Sequence, residues 1–155
     1  MLTFTNVCDI IYLSKADISN FFDKYIYEDK ENSQIVTTYE KKSAAIGFEE
    51  NIVTINGSKK RIYAHAIKKG DIIYLPISEM SDVYNIEISN IEETKVITMD
   101  SLDREQKRAI VTSNVSVKSS TNFIAKTVDR VKKGETVIVV SSKDDYSRIR
   151  TEDGK

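Results

Sequence analysis

The chain has no tryptophan, one cysteine, one histidine, one proline and five glycines in 155 residues, and each scarcity excludes something. With Cys8 alone, an internal disulfide and a multi-cysteine metal site are both ruled out. No neighbour marks its thiol as a nucleophile, so Cys8 reads as a small hydrophobe near the chain start. With His65 alone, a three-histidine copper site is impossible, and His65 in Tyr63-Ala64-His65-Ala66 reads as an ordinary strand residue. Five glycines supply no Gly-x-Gly-x-x-Gly or phosphate loop, and no Gly-x-Ser-x-Gly elbow exists. The expectation is therefore no metal and no cofactor. No stretch approaches the roughly 20 apolar residues of a membrane span, so membrane insertion of this segment is not expected. Net charge is −1 with acids and bases interspersed, which gives nucleic acid no basic face to bind.

What is present is an ordinary globular composition, 40% hydrophobic and 30% charged, and inside it an internal duplication. Ile10-Ile11-Tyr12-Leu13-Ser14 matches Ile72-Ile73-Tyr74-Leu75-Pro76, Ile18 matches Met80, Phe21-Phe22 match Val83-Tyr84, and Gln34 to Thr37 match Lys95 to Thr98. In each copy a β-type run leads into a helix. Ser14 is an N-cap with Asp17 three residues on, and Pro76 suits a first helical turn, where a missing N–H costs nothing. Ile77, Met80 and Tyr84 then share one helical face. Each helix gives way to a hairpin, 25–28 with 34–38 in the first copy and 86–89 with 94–98 in the second. Neither half can bury its own apolar face, so the two must share a core.

Between the copies, 43–48, 51–55 and 60–66 are β-prone, and Asn56-Gly57 is a strong two-residue hairpin turn. Residues 101–108 carry one apolar side chain in eight and read as a linker. After it come short strands with charged turns, among which Thr136-Val137-Ile138-Val139-Val140 is apolar on both faces and should be the most buried. The chain then reaches Asp153-Gly154-Lys155, a turn with no second strand after it. The expected fold class is α+β. A pseudo-symmetric repeat domain, an antiparallel sheet with two helices, spans 1–100, and a small all-β barrel follows at 109–155.

Convergent catalytic groups are missing from this text. Acidic residues cluster in lysine-flanked turns such as Glu28-Asp29-Lys30-Glu31 and Lys143-Asp144-Asp145, and the Asp-x-x-Asp-x-Asp-x-Glu run of chitinase-type enzymes is absent. Among the eight tyrosines, Tyr12, Tyr74 and Tyr84 sit at core-like positions, while Tyr25, Tyr27 and Tyr39 are open between packing and sugar stacking. Met1-Leu2-Thr3-Phe4 lacks the pattern of a signal peptide. Either the protein is cytoplasmic, or it is a segment of a longer secreted chain.

The doubled pattern, with Ile55-Asn56-Gly57, Ile73-Tyr74-Leu75-Pro76 and Lys95-Val96-Ile97-Thr98, resembles the copper amine oxidase N-terminal-like domain found in many secreted Firmicute proteins, although Asn85 stands where that family has glycine. Residues 110–155 resemble a bacterial SH3 domain: Val115 to Asn122 match its opening loop, Lys132 to Glu135 its Lys-Lys-Gly-Glu turn, and Asp145 to Arg150 its aromatic strand. This order of modules is similar to the front of clostridial cell-wall glycoside hydrolases of the chitinase-like family 18 type. The resemblance implies a non-catalytic module of the cell envelope or exterior, which binds peptidoglycan or another wall polysaccharide and carries a C-terminal catalytic domain. It implies Tyr146, Arg148 and Lys118 as ligand-binding residues, with no catalytic residue in this segment. A spacer or dimerisation domain, or a carboxylate-dependent hydrolase, are the alternatives.

Overall fold

Alternating apolar and polar residues set most of the chain into short strands, and a computed structural model describes residues 4–7 and 9–154. Cys8 lies outside the described residues. The order is β1 (Phe4–Val7), β2 (Ile10–Ser14), α1 (Lys15–Phe21), β3 (Tyr27–Asp29), β4 (Gln34–Tyr39), β5 (Lys42–Gly47), β6 (Ile52–Ile55), β7 (Ser58–Arg61), β8 (Ile67–Lys69), β9 (Ile72–Pro76), α2 (Ser81–Tyr84), β10 (Ile86–Ile91), β11 (Val96–Ser101), β12 (Lys107–Ile110), β13 (Val115–Lys118), β14 (Thr127–Val131), β15 (Thr136–Lys143) and β16 (Tyr146–Arg150). Strands take 52% of the described residues and the helices are seven and four residues long, so the protein is mostly antiparallel β with two short helices. Two compact units divide at residues 87 and 88.

In the first unit the similar runs β2 and β9 lie side by side and antiparallel, with Leu13 opposite Leu75, inside the sheet β1-β2-β9-β8. Residues 27–61 form a five-stranded meander, β3-β4-β5-β6-β7. Asn56 and Gly57 turn β6 into β7 with φ of 47° and 82°, the left-handed pair that a tight hairpin requires. One face of the meander supplies Ile35, Thr37, Ala44, Ile46 and Val53, all buried, and the helices contribute Ile18, Val83 and Tyr84. Leu13, Leu75, Ile77 and Met80 are also fully buried. A smaller cluster gathers Tyr12, Tyr74 and Ala64, with Ile10 and Ile67 against it.

Helix α1 starts on the expected cap. Ser14 Oγ accepts the Asp17 N–H at 3.1 Å and donates to Asp17 Oδ2 at 2.7 Å, so the carboxylate grips the cap hydroxyl. The second start differs from expectation. Pro76 ends strand β9 opposite Tyr12, and the chain makes two tight turns, Glu79 N–H to the Pro76 carbonyl and Met80 N–H to the Ile77 carbonyl, before α2 begins at Ser81. Proline's fixed φ suits an extended strand as well as a first helical turn, and pairing with β2 decides between them. Asn85 closes α2 at φ 49°, ψ 55°. Asparagine is among the few L-residues that adopt this conformation readily, so it serves where glycine is usual.

Buried polar groups tie the first unit together. Asp23 Oδ2 accepts from Thr37 Oγ1 at 2.9 Å and from the Thr38 N–H at 2.7 Å, while Oδ1 accepts the Tyr25 N–H at 2.9 Å. Tyr84 donates to Thr37 Oγ1 at 3.0 Å, and its ring meets Phe22 at 5.0 Å and Tyr39 at 5.9 Å between centroids. Burial pushes the Tyr84 phenol well above the usual tyrosine range; the Asp23 charge adds to this and the Thr37 hydrogen bond opposes it. An unfolded phenol titrates near 10. The proton bound more tightly in the folded state therefore stabilises it fully below about pH 10, and that contribution is lost as pH rises further, by about 1.4 kcal/mol per pH unit. Urea unfolding between pH 9 and about 12 should show wild type losing stability more steeply than Tyr84→Phe, and parallel curves would contradict this assignment.

The second unit holds β11 to β16 in small sheets, β10-β11, β12-β15-β16 and β13-β14. Strand β15 is central in its sheet, and its 136–140 part is the most covered run among β12 to β16, with Val137 buried and Ile138 and Val139 half-buried, although Val140 is 56% exposed. Two- and three-stranded sheets offer too little cover for both of its faces. Arg150 clasps Asp100 through two hydrogen bonds of 2.8 and 2.7 Å, joining β16 to β11. Thr94 Oγ1 donates to the Asp153 carbonyl at 2.8 Å.

Candidate functional site

Strand alternation brings Tyr146 and Arg148 to one face of β16. Across the hairpin, Lys143 opposes Tyr146 and Ser141 opposes Arg148, in a register shifted by a bulge between Val139 and Ser141. Asp144 makes the turn at φ 53°. These residues and Thr121 line an open groove of about 330 Å³. The Tyr146 ring is 57% exposed and is free to stack. Arg148 and Lys143 supply cations and Ser141 and Thr121 hydroxyls, which together suit a polyhydroxylated or anionic ligand.

Lys118, on β13, donates to Thr127 Oγ1 on β14 at 2.9 Å and is not among the residues lining the groove, whereas Tyr146 and Arg148 are. Ser141, Lys143 and Asp144 are not among the ligand-binding residues expected from the sequence, because 143–145 reads there as a solvated turn. Their i, i+2 spacing puts Ser141 and Lys143 on one face of β15, but their place opposite Arg148 and Tyr146 is set by the bulge.

His65 sits in the irregular segment after β7 rather than in a strand, because the β7 ladder ends at Arg61. Its Nδ1 lies 2.8 Å from Asn51 Oδ1. Tyr25 is 72% exposed with the Lys24 ammonium over its ring, whereas Tyr39 packs against Phe22 and Tyr84. Among the described residues, no three His, Cys, Asp or Glu side chains converge to hold a metal ion. With one histidine in the whole chain, the residues present do not fit a copper centre. No helix among the described residues is long and apolar enough to cross a membrane.

No curated protein and no solved structure matches the chain. The sequence pattern of one family, described as the copper amine oxidase N-terminal domain, matches residues 9–99, from the start of β2 into β11. That span holds both Ile-Ile-Tyr-Leu runs, both helices and the whole five-stranded meander, and the chain belongs to the copper amine oxidase N-terminal domain family.

Proposed function

We propose that this chain is a non-catalytic module of the cell envelope, which binds or positions at peptidoglycan or another wall polymer outside the cytoplasm and carries an attached catalytic domain of the chitinase-like glycoside hydrolase type. One observation carries the reading: the exposed Tyr146 ring stands beside Arg148 and Lys143 over an open groove. A sugar ring stacks on such a face while the cations meet wall carboxylates or phosphates. We read β2-α1 and β9-α2 as the two halves of a duplicated unit, and 109–155 as an SH3-like barrel. The five strands β12 to β16 and the turn at Gly134, φ 93°, support the second part of that reading.

Pull-down on purified cell wall tests it. Wild type should sediment with the wall, and Tyr146→Ala with Arg148→Ala should weaken binding about tenfold, the loss of roughly 1.4 kcal/mol expected when a stacking and a charged contact go together. Equal binding by the double variant removes these residues from the account. A second reading, a dimerisation module, is favoured by the exposure of Ile110, Val115, Phe123, Ile124, Val128 and Val140 in the second unit. Light scattering separates the two, since a monomer across micromolar concentrations excludes it.

A further inference from the structure

The five-stranded meander of the first unit has a second face, and it is built unlike the buried one. Cross-strand registers set Tyr27, Val36, Ala45, Thr54 and Lys59 in one row, and Asp29, Gln34 and Gly47 in the row beside it. Small side chains in the central strands, with longer ones at the margins, leave an open groove of about 330 Å³. Asn32 and Gln34 form one wall, Glu49 and Lys59 others, and Gly47 and Thr54 belong to the floor. A second hollow of about 490 Å³ shares Glu49, Glu50 and Ile52 with it and extends it towards Arg61.

Gly47 is the residue that points to a ligand. The other four glycines hold φ between 60° and 93°, where a side chain would be strained. Gly47 does not, and a Cβ added there would meet only the Ser33 carbonyl oxygen, at 3.8 Å. Neither backbone nor packing requires glycine at this place, and an interior strand glycine weakens its strand. Its effect is to keep the floor of the groove clear.

The walls are ordered in advance. Asn32 Nδ2 donates to Asp29 Oδ2 at 2.7 Å and Gln34 Nε2 donates to the same oxygen at 3.0 Å. Both amides have thereby committed nitrogen to Asp29 and leave their oxygens as acceptors. Thr54 adds a hydroxyl, Lys59 a donor and Glu49 a further acceptor. A polyanion would meet Glu49 and Glu50, and a polycation would meet Lys59 and Arg61. A neutral ligand rich in hydroxyl groups satisfies every wall, and the 53% exposed Tyr27 ring ends the row as a stacking face. We infer that the outer face of β3 to β7 is a saccharide-binding groove for neutral polyhydroxylated chains, separate from the Tyr146 groove and independent of it.

The test is amide chemical-shift mapping on the full chain, titrated separately with β-1,4-linked N-acetylglucosamine hexamer, cellohexaose and maltohexaose, and with polyglutamate and polylysine as charged controls. The expected result is saturable shifts at Gln34, Gly47, Thr54 and Lys59 with at least one neutral sugar. Gly47→Ile should weaken that binding at least tenfold without lowering the melting temperature, and Gln34→Ala should weaken it several-fold. Should Gly47→Ile fail to fold, Gly47→Ala takes its place in the comparison. The variant Tyr146→Ala with Arg148→Ala should keep these shifts, which separates this groove from the wall-binding reading. Absence of shifts with all three sugars, shifts that survive filling of Gly47, or shifts produced only by the charged polymers would each overturn the inference.

Discussion

Asp23→Ala should be among the most damaging single substitutions in this chain, at about 3 to 5 kcal/mol. The carboxylate is 5% exposed and accepts three hydrogen bonds, from Thr37 Oγ1, the Thr38 N–H and the Tyr25 N–H. Alanine leaves those donors without an acceptor, in a place where water replaces it poorly. An unsatisfied buried donor costs about 1 to 3 kcal/mol, and a bond to a charged acceptor is stronger than a neutral one. Asp23→Asn keeps one oxygen acceptor but turns an NH₂ towards donors, and should lose roughly half as much. Thr37→Val removes only the middle of the Asp23, Thr37, Tyr84 chain and should cost less than either. Urea unfolding of the three variants gives the order. An Asp23→Ala protein as stable as wild type would mean that these bonds contribute nothing net.

Leu75→Ala should cost about 2 to 5 kcal/mol through a cavity that its surroundings close only in part. Leu75 has no exposed surface and lies directly opposite Leu13, also fully buried, where β2 meets β9. The two strands hold the first unit together across the long insertion of the meander. In a unit of this size each kcal/mol shifts the melting temperature by about 4 to 8 °C, so thermal denaturation should show a drop of at least ~8 °C. Ile72→Ala, at the 45% exposed start of the same strand, serves as the contrast and should change little. Equal losses at the two positions would contradict the core described here.

The pattern of burial was readable from residue order wherever local chemistry and tertiary packing agreed. Asn56-Gly57 dictates its own hairpin, and the apolar spacing of Ile18, Ile77, Met80 and Tyr84 foretells their burial. Other features depended on partners remote in sequence. Pro76 suits either a helix start or a strand end, and only the neighbour Tyr12 selects the strand. Strand β8, with one isoleucine and two lysines, has no alternation to reveal it and exists because β9 offers an edge. The valines of β15 looked like an interior strand, yet burial depends on what covers them. At the Tyr146 groove, β16 announced its own face through alternation, but the facing Ser141 and Lys143 depend on a register shift that no local signal encodes.

The pairing of β2 with β9 has a consequence for the order of assembly. The Ile11 N–H donates to Ser78 Oγ across 67 positions of chain, whereas every pairing inside the meander joins consecutive strands. Loop-closure entropy makes near contacts quick and far ones slow, so the region from Tyr27 to Arg61 is the natural nucleus and the flanking β2 and β9 close around it afterwards. On a ribosome, β2 can pair with β1 at once, but its other edge has no mate until Pro76 has left the exit tunnel. During synthesis the protein therefore matures from its middle outwards.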